Sequence, residues 1–158
     1  RLDLLVHGAG VFEKRPIEAT DDGFWSEVID VNLGAVVALT REAWNPLSQA
    51  GGQVVLISSI AALRGFPGNA AYASSKGGMN ALGEVLREEG RDRGIRVITV
   101  CPAQTDTGLW EGKAPERVRA AMMPAAGVGR LIADLVATDR GIDIEPVVIR
   151  PPHDPWAG

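Results

Sequence analysis

Tyr72 is the only tyrosine of the 158-residue chain, and Lys76, one of three lysines, follows it by four residues. Four residues is one helical turn, so both side chains fall on one helix face. An ammonium beside a phenol favours the phenolate and draws down a pKa that starts near ~10. Such a phenol can give and take a proton near neutral pH. Ser59 lies thirteen residues before Tyr72 and ends an apolar run. A serine hydroxyl held beside the phenol could hydrogen-bond a carbonyl oxygen, and the three groups together suit the interconversion of a ketone and an alcohol. Taken alone, the Tyr72/Lys76 pair suits a structural helix as well as a catalytic one.

The neighbouring elements raise the odds of a site. Gly51 to Ser59 reads as a buried strand ending in hydroxyls. Ala61 to Asn69 contains Gly65, Pro67 and Gly68 and reads as a loop. A helix rich in small residues is expected from Ala70 to about Arg91. Elsewhere, Leu2 to His7 reads as a strand, and Thr20 is placed to cap a helix running to about Leu47, where Pro46 should end or kink it. Ile95 to Cys101 and Ile144 to Ile149 read as strands, and Val128 to Ala137 as a helix. Between them, Trp110 to Met123 mixes Gly112, Pro115 and charges with apolar side chains and reads as a flexible lid with a short helix. Alternating β and α in this order favours an α/β fold with a parallel, doubly wound sheet. Ligands of such sheets bind at the carboxyl ends of the strands, where Gly10, Ser59 and Pro102 fall.

These pieces, in this order, resemble the short-chain dehydrogenase/reductase family from about Asp3 to Pro151. Leu2-Asp3-Leu4-Leu5-Val6-His7-Gly8-Ala9-Gly10 is similar to the strand that carries the family's Asn-Asn-Ala-Gly motif. Val31-Asn32-Leu33 resembles the helix segment supplying an active-site asparagine. Ile57-Ser58-Ser59 and Tyr72-Ala73-Ser74-Ser75-Lys76 resemble the catalytic serine and Tyr-x-x-x-Lys segments. Val100 to Thr107 resembles the Pro-Gly-x-x-x-Thr segment beside the nicotinamide. The resemblance implies Tyr72 as general acid/base, Lys76 to lower its pKa and bond the nicotinamide ribose, Ser59 to orient the substrate oxygen, and Asn32 to hold a water near Lys76. It also implies that Gly8, Ala9 and Gly10 pass under the cofactor, NAD or NADP, with Pro102, Thr105 and Thr107 at its nicotinamide end. A purely structural role is open for three of these: Asn32 as a partner for backbone groups, Ser59 as a strand-end cap, and Thr107 as a helix N-cap.

Three departures stand out. His7 and Gly8 replace the two asparagines, and Ala103 replaces the glycine after Pro102, which would cost energy if that backbone had positive φ. The largest is an absence. No G-x-G-x-x-G turn occurs in residues 1–158, since Gly8-Ala9-Gly10 runs into Val11-Phe12-Glu13. That turn is what brings backbone N–H groups and a helix N-terminus to a pyrophosphate. We therefore expect a single partial Rossmann-like domain over residues 1–158, the C-terminal part of a three-layer α/β/α unit. It would lack the first three β-α units, on the order of 80 residues at ~30 per unit, and would be inactive alone.

Net charge is −4 and the pI about 5.2, which argues against nucleic acid and anionic membrane surfaces as partners. No run of eighteen apolar residues appears, so no membrane span is expected. Cys101 stands alone, which fits a reducing, cytoplasmic compartment without disulfides. His7 and His153 lack metal-ligand spacing, so no metal is expected. The expected partners are a small carbonyl or alcohol substrate and further copies of the chain, in a homodimer or homotetramer through the helices at 20–47 and 70–91. The alternative is a non-catalytic oligomerisation or interaction module. For that reading, an uncovered strand at Leu2–His7 would be an apolar edge needing a partner. A sugar-nucleotide epimerase shares Tyr-x-x-x-Lys, but only 82 residues follow Lys76 (158 − 76), few for a large C-terminal substrate region.

Overall fold

The computed structural model describes residues 1–156. Its centre is a four-stranded sheet: β1 (Leu4–His7), β2 (Gln53–Ile57), β3 (Arg96–Pro102) and, last in the chain, β6 (Val147–Ile149). All neighbours are parallel, in the order β1-β2-β3-β6, while β4 (Thr105–Asp106) and β5 (Met123–Pro124) form a separate parallel pair on either side of the short helix α4 (Glu116–Arg119). The period of two along the strands sends alternate side chains to opposite faces. On one face Val54, Leu56 and Val97 join Val36 and Leu47 of helix α2 (Ala35–Ala50) and Met79 and Leu86 of helix α3 (Ala70–Arg91). On the other, Val55, Ile98 and Val100 meet Ile132, Leu135 and Val136 of helix α5 (Ala125–Ala137). The result is the expected three-layer, Rossmann-like arrangement. The second layer stops short of β1, an edge strand whose Leu4 and Val6 stay 39% and 48% exposed.

Close approach of α3 to the sheet depends on small residues. A Cβ on Gly83 would lie 2.5 Å from Thr99 Oγ1 and 3.1 Å from Leu56 Cδ1, both buried strand side chains with nowhere to move. Gly83→Ala should therefore cost ~1–3 kcal/mol through overpacking, against the gain in helix propensity the same change gives at an open site. A lower urea midpoint with an unchanged m-value is the expected reading; an unchanged midpoint would mean α3 can lift without loss. On the opposite layer, buried Arg96 fixes the end of α5. Its guanidinium donates to the carbonyls of Leu135, Val136, Thr138 and Asp139, and to Gln53 Oε1. It thereby satisfies acceptors that a helix C-terminus leaves open.

Several boundaries differ from the sequence reading. The first long helix is capped by Asp21, whose Oδ1 accepts from Phe24 N at 2.8 Å, while the Thr20 hydroxyl donates to Pro16 O. It runs as α1 (Asp22–Ile29), a π-helical turn (Asp30–Gly34) and α2, and passes through Pro46 to Ala50. Fully buried Leu47 holds that last turn to the core, and Gly51 in the left-handed region (φ 58°) closes it. By length and composition alone this 29-residue stretch is long and apolar enough to cross a membrane, a test that core helices also pass. Its Phe24, Val28, Asn32 and Val36 are nevertheless buried against the domain. Helix α5 starts three residues earlier than expected, directly after Pro124, because Gly127 and Gly129 are accommodated within it. Strand β6 starts at Val147, since Pro146 has no N–H to enter the ladder.

Candidate functional site

The loops at the carboxyl ends of β1, β2 and β3 open onto one cleft of about 750 Å³. Gly8, Ala9, Gly10, Ser59, Tyr72 and Lys76 line it, as do Pro102, Thr105 and Thr107. Nine of the ten expected site residues thus meet there. The tenth, Asn32, lies fully buried behind the wall. It occupies the π-helical turn, a local widening often found at functional sites. Its Oδ1 accepts from Val11 N (2.8 Å), and its Nδ2 donates to Val11 O (3.0 Å) and Ser75 Oγ (3.1 Å). The Ser75 hydroxyl in turn donates to Tyr72 O at 2.8 Å. Asn32 therefore ties the segment after β1 to the turn of α3 that carries Tyr72 and Lys76.

Lys76 is 4% exposed and donates from Nζ to Ile57 O at 2.8 Å, which aims it across the end of β2. A Cβ on Gly10 would sit 3.1 Å from Asn32 Oδ1 and 3.8 Å from Lys76 Nζ, so glycine lets the chain pass over both groups. Burial lowers the Lys76 pKa to about 8, offset slightly by Cys101 nearby. Tyr72 departs from the expectation. Its pKa is raised by burial, with the Ser59 hydroxyl pulling the other way. Lys76 does not depress it: Nζ is bound to Ile57 O and lies 5.8 Å from the centroid of the Tyr72 ring. In this arrangement Tyr72 is a neutral phenol, a proton donor through neutral pH.

The structural roles left open for Asn32, Ser59 and Thr107 are all present. Asn32 serves the Val11 backbone; Ser59 Oγ accepts from Ala61 N, and Thr107 Oγ1 from Leu109 N, each at the start of a 3-10 turn. The departures from the family pattern are accommodated. Among the described residues no non-glycine residue has positive φ, so Ala103 carries no such strain. His7 is buried with Nε2 2.9 Å from Thr40 Oγ1, and burial lowers its pKa. The segment expected to be a lid is tied down at two points: Lys113 Nζ donates to Phe12 O at 2.6 Å, and Arg119 pairs with Asp106 at 2.7 Å.

Sequence reasoning missed three contributors. Ser75 relays Asn32 to Tyr72, and its place between Ser74 and Lys76 was the only available hint. The Ser58 hydroxyl donates to Lys76 O at 3.2 Å, pinning α3 to the end of β2. Phe12 packs edge-on to Tyr72 (centroids 4.9 Å apart) and to Trp110 (5.4 Å). The Phe12–Trp110 contact spans nearly a hundred residues, and no local pattern announces it.

Known proteins share this fold and part of this sequence. The chain is 35% identical over 129 residues to a 3beta-hydroxysteroid dehydrogenase of Mediterraneibacter gnavus, covering 80% of this chain and 47% of that protein. It is 33% identical over 109 residues to an acetoacetyl-CoA reductase of Allochromatium vinosum, covering 68% and 44% respectively. The chain thus spans about half the length of these curated relatives. A 4-hydroxyisoleucine dehydrogenase, solved with NADH and succinate, superposes with a TM-score of 0.83 at 27% identity, covering 99% of this chain and 69% of that one. Residues 1–117 match the family described as short chain dehydrogenase, and the chain belongs to that family.

Proposed function

We propose that residues 1–158 supply the catalytic part of an NAD(P)(H)-dependent oxidoreductase that interconverts a carbonyl and a secondary alcohol. The observation that carries this reading is the convergence of Ser59, Tyr72 and Lys76 on one cleft at the strand ends. The relatives' names include dehydrogenases and reductases, which supports the same class. Tyr72, a neutral phenol beside the Ser59 hydroxyl, would donate its proton to the carbonyl oxygen and recover it in the reverse direction. Ser59 would hold that oxygen. Asn32 and Ser75 would fix the turn of α3 that sets Tyr72 and Lys76. The residues present suit the nicotinamide half of the cofactor: Gly8 leaves open space, Gly10 is a close cradle, and Lys76 can offer N–H donors beyond the one given to Ile57 O. A bound nicotinamide would supply or accept the hydride.

The pyrophosphate would be held by β-α units outside residues 1–158. The isolated chain should therefore bind NADH or NADPH more weakly than ~1 µM, or −8 kcal/mol; calorimetric binding at or below that value would reveal an anchor within these residues. For the full-length protein, NAD(P)H consumption on a panel of ketones tests the activity. A folded protein that binds cofactor yet reduces no carbonyl would favour the non-catalytic reading. Self-association through the α1–α2 stretch and α3 is part of the proposal, since Val37 and Leu39 of α2 and Val85 of α3 are 42%, 56% and 52% exposed.

A further inference from the structure

Beside the proton-handling groups, the cleft has a wall that the reaction itself does not require. The rings of Tyr72, Phe12, Trp110 and Trp156 form a connected row, with centroid separations of 4.9, 5.4 and 6.3 Å. Each contact is edge-on or tilted, as aromatic pairs prefer. The row brings together residues from the segment after β1, the 3-10 turn after β4 (Thr105–Asp106) and the C-terminal stretch. All four rings line the cleft. Exposed Trp156 marks its outer end, and the Tyr72 phenol its inner end, beside buried Phe12.

Besides Lys76, which is bound to Ile57 O, two cations line the same cleft. Lys14 Nζ stands 5.5 Å above the Trp156 ring, and the Arg64 guanidinium 4.6 Å above that of Phe66. Among the described residues neither has a carboxylate within 4.0 Å, whereas Arg15 and Arg119 are paired. Among the described residues the one side-chain carboxylate lining the cleft is Asp154, whose Oδ1 accepts from Trp156 N. Stacking on a ring holds each cation in place while leaving N–H groups free.

We infer that the substrate is an anionic carbonyl compound with an aromatic or other flat apolar body. The carbonyl would meet Tyr72, the body would lie on the Phe12–Trp110–Trp156 row, and a carboxylate or similar anion would reach Lys14 and Arg64. This deepens the oxidoreductase reading and rests on it. The test is calorimetric titration of the full-length protein, with oxidised cofactor to prevent turnover, using 4-acetylbenzoate and its neutral counterpart 4-acetylbenzamide. The acid should bind at least about fivefold more tightly, a preference two exposed cations can supply and salt should weaken. The double variant Lys14→Gln/Arg64→Gln should still bind the amide and no longer prefer the acid. Equal affinity of the unaltered protein for acid and amide, or no binding of either, would overturn the inference. So would displacement of the acid by inorganic pyrophosphate of equal or higher affinity, which would assign the cations to a dinucleotide phosphate. A protein that reduces neutral ketones yet fails these tests would retain its oxidoreductase assignment and lose only this substrate class.

Discussion

Replacing Tyr72 by Phe in the full-length protein should lower kcat for carbonyl reduction by at least ~100-fold, the usual contribution of a positioned general acid. The change removes one oxygen and leaves the ring, so the edge-on contact with Phe12 at 4.9 Å and the burial of the site survive. Stability should hardly move, which separates a chemical defect from a folding one. The phenol is held neutral by its surroundings, so protonated Tyr72 stands ready through neutral pH. A Tyr72→Phe variant turning over at near the unaltered rate would place the proton donor elsewhere.

Lys76 leads to a second large effect, of opposite sign for stability and for activity. Burial lowers its pKa from 10.5 to about 8, so the buried ammonium opposes folding at neutral pH by about 3 kcal/mol. Between about pH 8 and 10 the folded chain binds fewer protons at this site than the unfolded chain, so stability rises with pH. Above pH 10 Tyr72 reverses the trend, because the unfolded phenol ionises before the buried one. Lys76→Met removes the buried charge but leaves Ile57 O without its donor, a loss of about 1 kcal/mol. The variant should thus be more stable than the parent by ~1–2 kcal/mol at pH 7, lack the rise between pH 8 and 10, and lose most of its activity. Urea unfolding at pH 7 and pH 9.5 reads this directly. A Lys76→Met variant less stable at pH 7 would show that the lysine is structural.

The elements that place the site were legible because each is built from local pattern. Gln53 to Ile57 is an apolar run closed by hydroxyls, and the small residues of α3 announce a helix held tightly to a sheet. Alternation of β and α then puts Gly10, Ser59 and Pro102 at one end. What escaped depended on contacts between distant segments. The aromatic row joins Phe12 to Trp110 and Trp156, and the Arg96 clamp joins β3 to the end of α5. Pro46 misled as a helix stop because tertiary burial of Leu47 outweighs one missing hydrogen bond. The Tyr72 pKa was misjudged for a related reason. Spacing of four gives proximity on a helix, but Lys76 satisfies itself at Ile57 O, and the depth of the site sets the phenol's state.

The central claim is that Tyr72 and Ser59 share one carbonyl oxygen. A crystal structure of the full-length protein with oxidised cofactor and a ketone tests it most directly. The carbonyl oxygen should lie within about 2.6–3.2 Å of both Tyr72 Oη and Ser59 Oγ, the reach of a proton-transfer hydrogen bond. A ketone bound in the cleft with its oxygen turned away from both hydroxyls would contradict it.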